Sequence, residues 1–566
     1  MRVGTGFTRV RIEGANRLAP VGLVVAALGL CLLSADAWAY PVPVLDDDFN
    51  VVFSDTQDAV PTEVGRGPAP QPRSAPAAPS CIEINAIALT GAEIFSRERL
   101  LPEFEAGCYA LADLFAFVGA ITNAYVEAGY VTSSAFLPEQ DLTTGTLEIV
   151  VVEGRVEAVE LIENGQVRSI GRTVMPYAIG HVLNLRTFEQ GLDQINRLAS
   201  KDATISFRPG SRPGWSVVEV AIASKPGWTV GSHISNAGTG ASGQWHNTTT
   251  VTFEDSLGLF ETLSFAHKRN LETDGGRQRA FEYVGELTLP LGDWTFGWSS
   301  KATQYLSFLD ANGQILTTNG DTLTHTAYLD WLVHRNQTAK TNIRARFSSE
   351  TTANYLEDVL IGVSSHTVSV GTLEISHSDS LFGGHAFARA GVHRGLPWFG
   401  AEDNGGPFAL FTKLDGEVQH TLPLTEGLTF STSLSGQWSH DQLYASEQFS
   451  ISDIPGFSTF NHAGLSGENG ARVRGELAYT LPSAGAGVDT ALGRLTAFAA
   501  LESGWTFPGP SNGDLTTNIG GAAVGLRVSG GALSGSMSWQ VPLWGPDGFD
   551  RSGDFRLEAG ITLSYF

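Results

Sequence analysis

From about Pro226 to the last residue, apolar and polar side chains alternate in run after run, and this period of two most limits what the chain can fold into. Leu428, Phe430, Thr432, Leu434, Gly436 and Trp438 interleave with Thr429, Ser431, Ser433, Ser435 and Gln437. Leu414, Gly416, Val418, His420 and Leu422 alternate with Lys413, Asp415, Glu417 and Gln419. Phe281, Tyr283, Leu287 and Leu289 do so around Glu282 and Glu286, and Trp294, Phe296 and Trp298 continue the pattern. A soluble sandwich and a barrel in lipid share this signature. Three features favour lipid. The runs are about ten residues long, aromatics such as Phe408, Trp438 and Trp505 sit near their ends, and about 340 residues pass without a helical interlude, too long for one sandwich. At roughly 21 residues per strand and connection, the region holds about sixteen strands. In a bilayer such a sheet must close, because no water satisfies an open edge.

The N-terminus agrees with export. Arg2, Arg9, Arg11 and Arg17 precede the apolar run Val21 to Leu33, and Ala37-Trp38-Ala39 supplies small residues for a signal peptidase. Residues 1–39 therefore read as a signal peptide cut after Ala39, and the run is short for a retained anchor. Cys31 follows the bulky Leu30 inside that run, which argues against a lipoprotein. Losing four Arg together with Glu13 and Asp36 takes the net charge from −24 to −26. So acidic a chain is a poor partner for nucleic acid, which needs clustered Lys and Arg. No later stretch has 18 consecutive apolar residues, so spanning helices are not expected.

Residues 40–80 read as a lead-in, acidic at Asp46-Asp47-Asp48 and rich in Pro and Ala from Pro61 to Pro79, the composition of a linker. Two α+β modules follow. In 81–155, Ile82, Ile84 and Ile87 suggest a strand. Leu111, Leu114, Val118, Ile121 and Tyr125 recur at helical spacing, and Gly129 suits a helix stop. Tyr130 to Leu137 and Thr146 to Val152 then read as strands, giving the order strand, two helices, two strands. In 156–225, a strand at Val156 to Ile162 precedes a helix with Phe188, Leu192, Ile195 and Leu198 on one face, then strands at Ala203 to Phe207 and Trp215 to Ile222. Of three Cys, Cys81 and Cys108 remain after cleavage. In an exported chain an even pair usually means a disulfide, two buried free thiols being the other reading.

These residues also carry a resemblance. Gly129-Tyr130-Val131-Thr132-Ser133, Leu137-Pro138-Glu139-Gln140-Asp141-Leu142, Gly145, Leu147 and Val152-Glu153-Gly154-Arg155-Val156 resemble the first POTRA domain of the two-partner secretion transporters, the ShlB/FhaC/HecB haemolysin secretion/activation family. Cys81 and Cys108 match that domain's Cys pair. Asn184-Leu185-Arg186, Glu189-Gln190-Gly191-Leu192, Asn196-Arg197-Leu198 and Pro209-Gly210-Ser211 resemble the second, and Asn236-Ala237-Gly238 with Asp255-Ser256-Leu257-Gly258-Leu259 the first barrel hairpin. The resemblance implies two periplasmic POTRA domains, a sixteen-stranded barrel over 226–566 in the outer membrane of a Gram-negative cell, and export of a partner exoprotein without nucleotide hydrolysis. Many members also plug the pore with an N-terminal helix, which would lie in residues 40–60.

The family's long extracellular loop enters the lumen with a Val-Arg-Gly-aromatic tip. Here the match is Ile454-Pro455-Gly456-Phe457, with Pro455 in place of the Arg. The family's carboxylate partner on the wall aligns with Glu502, and alternation turns Glu502 inward. Arg474, or Arg472 on the same face, is then the expected cation. Packing by Gly456 and Phe457, more than charge, is expected to hold the loop. Glu189, Gln190, Leu192, Asn196 and Leu198 are the expected recognition residues for the exoprotein's N-terminal secretion domain.

The terminal strand places Leu557, Ala559, Ile561, Leu563 and Tyr565 on one face and ends on Phe566, similar to the signal read by the barrel-assembly machinery. Other motifs fail in context. Gly238 to Gly243 fits a dinucleotide fingerprint, but no helix follows. There is no Gly-x-Ser-x-Gly elbow, and His267, His334 and His393 show no metal-ligand spacing, reading instead as lumen or interface residues. No enzyme activity, cofactor or metal is expected. The alternatives are a barrel insertase, which usually carries five POTRA domains, and a passive porin, which needs no arm of about 145 residues.

Overall fold

The computed structural model describes residues 81–101, 104–168, 172–175, 178–238, 243–271, 279–403, 407–452, 465–482, 493–511, 513, 515–530, 532–547 and 553–564. The signal peptide, the lead-in to residue 80, Ile454–Phe457 and the terminal Tyr565-Phe566 lie outside the described residues.

The first module places strands Ala86–Thr90, Thr146–Val152 and Ser134–Phe136 in one sheet, the first two parallel. Helix Leu111–Glu127 packs Leu114, Ile121 and Tyr125 onto Ile84, Ile87, Leu147 and Ile149. The expected helix face is right except at Leu111, which the first turn leaves exposed. The helix ends where Gly129 takes φ +93, a conformation a Cβ would strain. The expected strand Tyr130 to Leu137 is real only over Ser134–Phe136. Its earlier residues turn instead: Ser133 N–H donates to Tyr130 O, and Ser133 Oγ accepts from Gly154 N–H. A short strand Gly107–Tyr109, missed by periodicity because three residues carry no period, pairs with Ile82–Ile84.

The ends of that pairing bring Cys81 and Cys108 together, bridged with their Cα atoms 5.3 Å apart. The bond closes a separation of 27 residues, worth roughly 3 kcal/mol in the chain-entropy model. Mass spectrometry of non-reduced peptides should find the two cysteines joined, and two free thiols would contradict it. Reduction should make the segment between them more sensitive to protease.

The second module orders its strands Gln166–Val167, Arg155–Glu163, Trp215–Ser224, Lys201–Pro209, the middle two parallel. Helix Leu185–Asn196 begins at Asn184, whose side chain accepts from Arg186 N–H as an N-cap. The two modules meet through the motif residues themselves. Leu185 N–H donates to Gly129 O, and Leu183 N–H to Gly154 O. Glu153 accepts from Glu93 N–H, Ile94 N–H and the Tyr125 hydroxyl, each at 2.7 Å. Burial and Glu153 together push the Tyr125 phenol above its usual value.

Sixteen long strands close the barrel among the described residues, each antiparallel to the next. They run from Trp228–Ser235 to Asp554–Ser564, and these two pair with each other to close the cylinder. No described helix is long and apolar enough to cross a membrane; strands do the crossing. The alternating residues sort to two faces. Val418, Leu434 and Trp438 point out, about half exposed, whereas Glu417 and Gln419 are buried within. Trp294 and Trp331 stack at 5.1 Å on the outer face, an aromatic pair at one rim.

Strand length varies more than periodicity alone suggests. Trp294–Ala311 has 18 residues, Gln314–Arg335 has 22 and Lys340–Leu356 has 17. About 9–11 tilted residues span a bilayer, so this part of the wall projects beyond it. Trp294 and Trp331 mark the rim nearest the modules, which places the excess on the far, extracellular side.

Candidate functional site

The inner wall carries a connected set of charges. Arg389 on strand Gly384–Gly395 lies 2.7 Å from Asp415, 3.1 Å from Glu374 and 3.4 Å from Glu417, on the two flanking strands. His393 Nε2 is 2.7 Å from Asp415, and Arg346 is 3.8 Å from Glu374. A second group follows around the wall. Arg474 bridges Glu502 at 3.0 Å and Glu476 at 2.7 Å, and Arg527 reaches Glu476 at 3.3 Å. Glu502 stands directly across the strand pair from Arg474, which makes this contact local to the wall. Alternation puts all of them opposite the outward Leu373, Val392, Leu414 and Leu501, so they line the lumen.

Residues 440–452 and 465–468, the described arms of the connection between strands Leu428–Ser439 and Asn469–Thr480, turn back into this lumen. Within them, Phe449–Ser450 and Ser466–Gly467 pair as a small ribbon. Inward side chains receive the ribbon's approach. Lys413 binds Glu447 at 2.8 Å, Gln437 donates to Glu447 O at 3.0 Å, and the Tyr444 and His366 rings stack at 3.8 Å. Phe449 lies 5.3 Å from the Arg472 guanidinium and against Gly470, where a Cβ would come within 2.6 Å of its ring. Only glycine fits there.

The second module is seated on the rim below. The turn 255–261 after strand His246–Glu254 inserts Phe260, fully buried, into the module's core beside Val159, Leu161, Leu198 and Val220. Arg168 covers the Phe260 ring at 4.1 Å and pairs with Asp255 at 2.6 Å, and Lys201 reaches Asp255 at 2.8 Å. Arg197 donates to Phe260 O, and Glu254 accepts from Ala199 and Ser200 N–H. A second contact joins helix Leu185–Asn196 to a later turn: Arg335 reaches Glu189 and Asp193 at 3.3 and 2.5 Å, and Lys340 reaches Asp193 at 2.6 Å.

Burial works to raise the Asp255 carboxyl, but Arg168, Lys201 and the Phe260 N–H outweigh it and hold Asp255 below its ordinary value. At Glu163 burial likewise works to raise the carboxyl, and Lys201, Ser224 and Arg168 outweigh it and hold it below its ordinary value. Carboxyls depressed in the folded state stabilise it above their unfolded values and lose that contribution as pH falls through the folded ones. Docking should hold at neutral pH, weaken below 4.5, the ordinary glutamate value, and be lost below the depressed folded values. Protease sensitivity around residue 226, compared at neutral and acid pH, checks this.

The residues singled out by sequence fall into three places. Arg474 and Glu502 are brought together, while Arg472 instead donates to Ser435 Oγ at 2.8 Å and covers Phe449. Ile454, Pro455, Gly456 and Phe457 lie outside the described residues, between arms that are described. The expected recognition residues also make contacts within the chain. Glu189 and Gln190 contact Arg335, Asn196 exchanges hydrogen bonds with Ala203, Leu198 is buried and Leu192 packs on the core. Their helix was legible, but an amphipathic helix does not announce which neighbour covers its polar side. Of the three histidines, His393 faces the lumen and His267 stacks on Tyr283 at the outer face. Sequence reasoning missed Phe260, Asp255 and Arg335. Phe260 and Asp255 have positive φ despite being neither Gly nor Asn, a strain that tertiary contacts support. The only sequence signal was the run Asp255 to Leu259.

The family model described as haemolysin secretion/activation protein ShlB/FhaC/HecB matches residues 214–528. A ShlB-type POTRA domain model matches 82–154, and a further POTRA model matches 155–209. The chain is 32% identical over 501 residues to an outer membrane transporter CdiB of Escherichia coli, covering 85% of this chain and 82% of that one. It is 28% identical over 481 residues to the hemolysin transporter protein ShlB of Serratia marcescens, covering 81% and 84%. The solved structure of CdiB from Escherichia coli superposes with a TM-score of 0.81 at 30% identity, over 88% of this chain and 93% of that one.

Proposed function

This chain belongs to the ShlB/FhaC/HecB haemolysin secretion/activation family, the outer-membrane transporters of two-partner secretion, and we propose that it exports one partner exoprotein of haemolysin or adhesin type from periplasm to cell surface. It sits in the outer membrane with its POTRA domains in the periplasm. The observation that carries the proposal is the polar lumen, lined by charges and entered by a folded segment, directly above a periplasmic arm docked on its rim.

The exoprotein's secretion domain arrives unfolded, with its backbone groups unpaired. Edge strands accept such a segment by β-augmentation. Ser134–Phe136 and Lys201–Pro209 end their sheets and serve this role. The helix Leu185–Asn196 contributes by setting Lys201–Pro209, while Glu189 and Gln190 hold the arm to the barrel. Domain limits at 81–155, 156–225 and 226–566 follow from this division. Insertion by the barrel-assembly machinery, reading the terminal strand, completes the proposal.

An insertase would open its seam to lipid. Here the first and last strands pair from Thr229↔Ser564 to Ser235↔Glu558, and Asn236 extends the ladder. Its side chain donates to Phe555 O at 2.7 Å and accepts from Leu557 N–H at 2.8 Å, as a peptide unit would. A closed seam favours transport through the lumen. The test is release of the exoprotein encoded alongside. Removing 81–225 should abolish release while the barrel still folds. Export by the bare barrel, with no binding of the secretion domain by an 81–225 fragment, would contradict the proposal.

A further inference from the structure

We propose that Asn184 is a positioning residue that joins the two periplasmic modules into one rigid arm, holding the edge strand Ser134–Phe136 at a fixed place below the barrel. The inference rests on reading that arm as the receiver of the exoprotein.

The end of helix Leu111–Glu127 meets the start of helix Leu185–Asn196. A helix leaves its last carbonyls and its first N–H groups without partners of its own. Here the two ends supply each other. Leu185, the first residue of the second helix, donates its N–H to Gly129 O at 2.8 Å. The Asn184 side chain serves both ends at once. Its Oδ1 accepts from Arg186 N–H at 2.9 Å, and its Nδ2 donates at 3.4 Å to the carbonyl of Ala128, the residue that caps the first helix. Gly129 makes room for it, since a Cβ there would come within 2.7 Å of Oδ1. Leu183 N–H, which donates to Gly154 O at 2.7 Å, and Val131, packed on the second module's core, complete the joint.

The residue type follows from the two ends it faces. The C-terminal end of a helix is partly negative and the N-terminal end partly positive. An amide presents a donor to the first and an acceptor to the second. Aspartate and serine start a helix about as well as asparagine does. A carboxylate, however, has no proton to give Ala128 O and sets its charge against the negative end. Helix capping alone leaves the choice among these residues open, and the contact with the first module singles out asparagine. Phe260 seats the second module on the barrel rim, so a locked joint carries that fixed geometry on to the first module.

Hydrogen exchange on the purified full-length transporter, read residue by residue, tests the assignment. In Asn184→Asp the amides of Leu183 and Leu185, which donate across the joint, should lose about tenfold or more of their protection, the ratio set by leaving one partly buried acceptor unsatisfied. The amides of Gly191, Leu192 and Ile195 within the helix should keep theirs, because aspartate still caps it. Asn184→Ala should loosen the joint and fray the first turn of the helix as well. A purely local cap gives a different pattern, with aspartate neutral and alanine alone harmful, and that result overturns the proposal. Should Asn184→Asp fail to fold, Asn184→Ser, with a shorter side chain and no NH2, carries the test. Unchanged protection of Leu183 and Leu185 in it overturns the proposal. Exoprotein release separates the two readings. A looser joint with reduced release is the expected result. A looser joint with normal release supports the Asn184 assignment and counts against the arm as receiver. Lost release with unchanged protection overturns the assignment and leaves export standing.

Discussion

Phe260→Ala is expected to unseat the periplasmic arm from the barrel. Phe260 comes from a barrel turn yet is fully buried in the second module's core, under the Arg168 guanidinium. Truncating a buried Phe costs on the order of 3–5 kcal/mol through lost transfer and an unfilled cavity. The residue also sits at φ +56, a strain that the contact sustains, so losing the ring removes the reason for the turn's shape. The polar contacts of Asp255 with Arg168 and Lys201 and of Glu254 with Ala199 and Ser200 flank the emptied pocket, and the partly exposed pairs of Asp193 with Arg335 and Lys340 contribute about 1 kcal/mol or less each. Spin labels at Asp202→Cys and Glu426→Cys, one on the module and one on a periplasmic turn, should give one narrow distance in the parent and a broad distribution in Phe260→Ala. Exoprotein release should fall with it. An unchanged distance distribution would show that the wedge does not hold the arm.

Arg474→Ala is expected to weaken the barrel wall on a similar scale. Arg474 is 13% exposed and Glu502 1%, so the pair is largely withdrawn from water. Removing one partner of such a pair costs on the order of 3–5 kcal/mol, mostly the penalty left on the other charge. Glu476 keeps Arg527 at 3.3 Å, whereas Glu502 loses the guanidinium that faces it across the strand pair. The compact form should convert on heating at a lower temperature in Arg474→Ala. Glu502→Gln added to it should recover part of the loss, because the charge that faced the removed guanidinium is gone. If the double variant were as unstable as the single one, the wall pair would not be the source.

Much of this was legible in the residues. Alternation marks the barrel because strand geometry forces successive side chains to opposite faces, and lipid outside with water inside makes that difference chemical. Glu502 and Arg474 follow from the same parity, since both lie an even number of residues from other inward groups. The modules' helices follow from spacing and from Gly129 and Asn184 at their ends. Glu153 shows where this stops. Its motif is visible in sequence, but its partners Glu93, Ile94 and Tyr125 are far from it along the chain.

The amino-acid order by itself determined which residues of the alternating runs face lipid, which face water and which stretches form the modules' main helices, because those depend on neighbours within a few positions. Only the tertiary structure decided that Phe260 fills a core belonging to another domain and that Glu189 holds the arm to Arg335. Those contacts depend on how the closed cylinder brings its rims around, and a periodicity of two or 3.6 carries no information about what lies opposite across a lumen or below a rim.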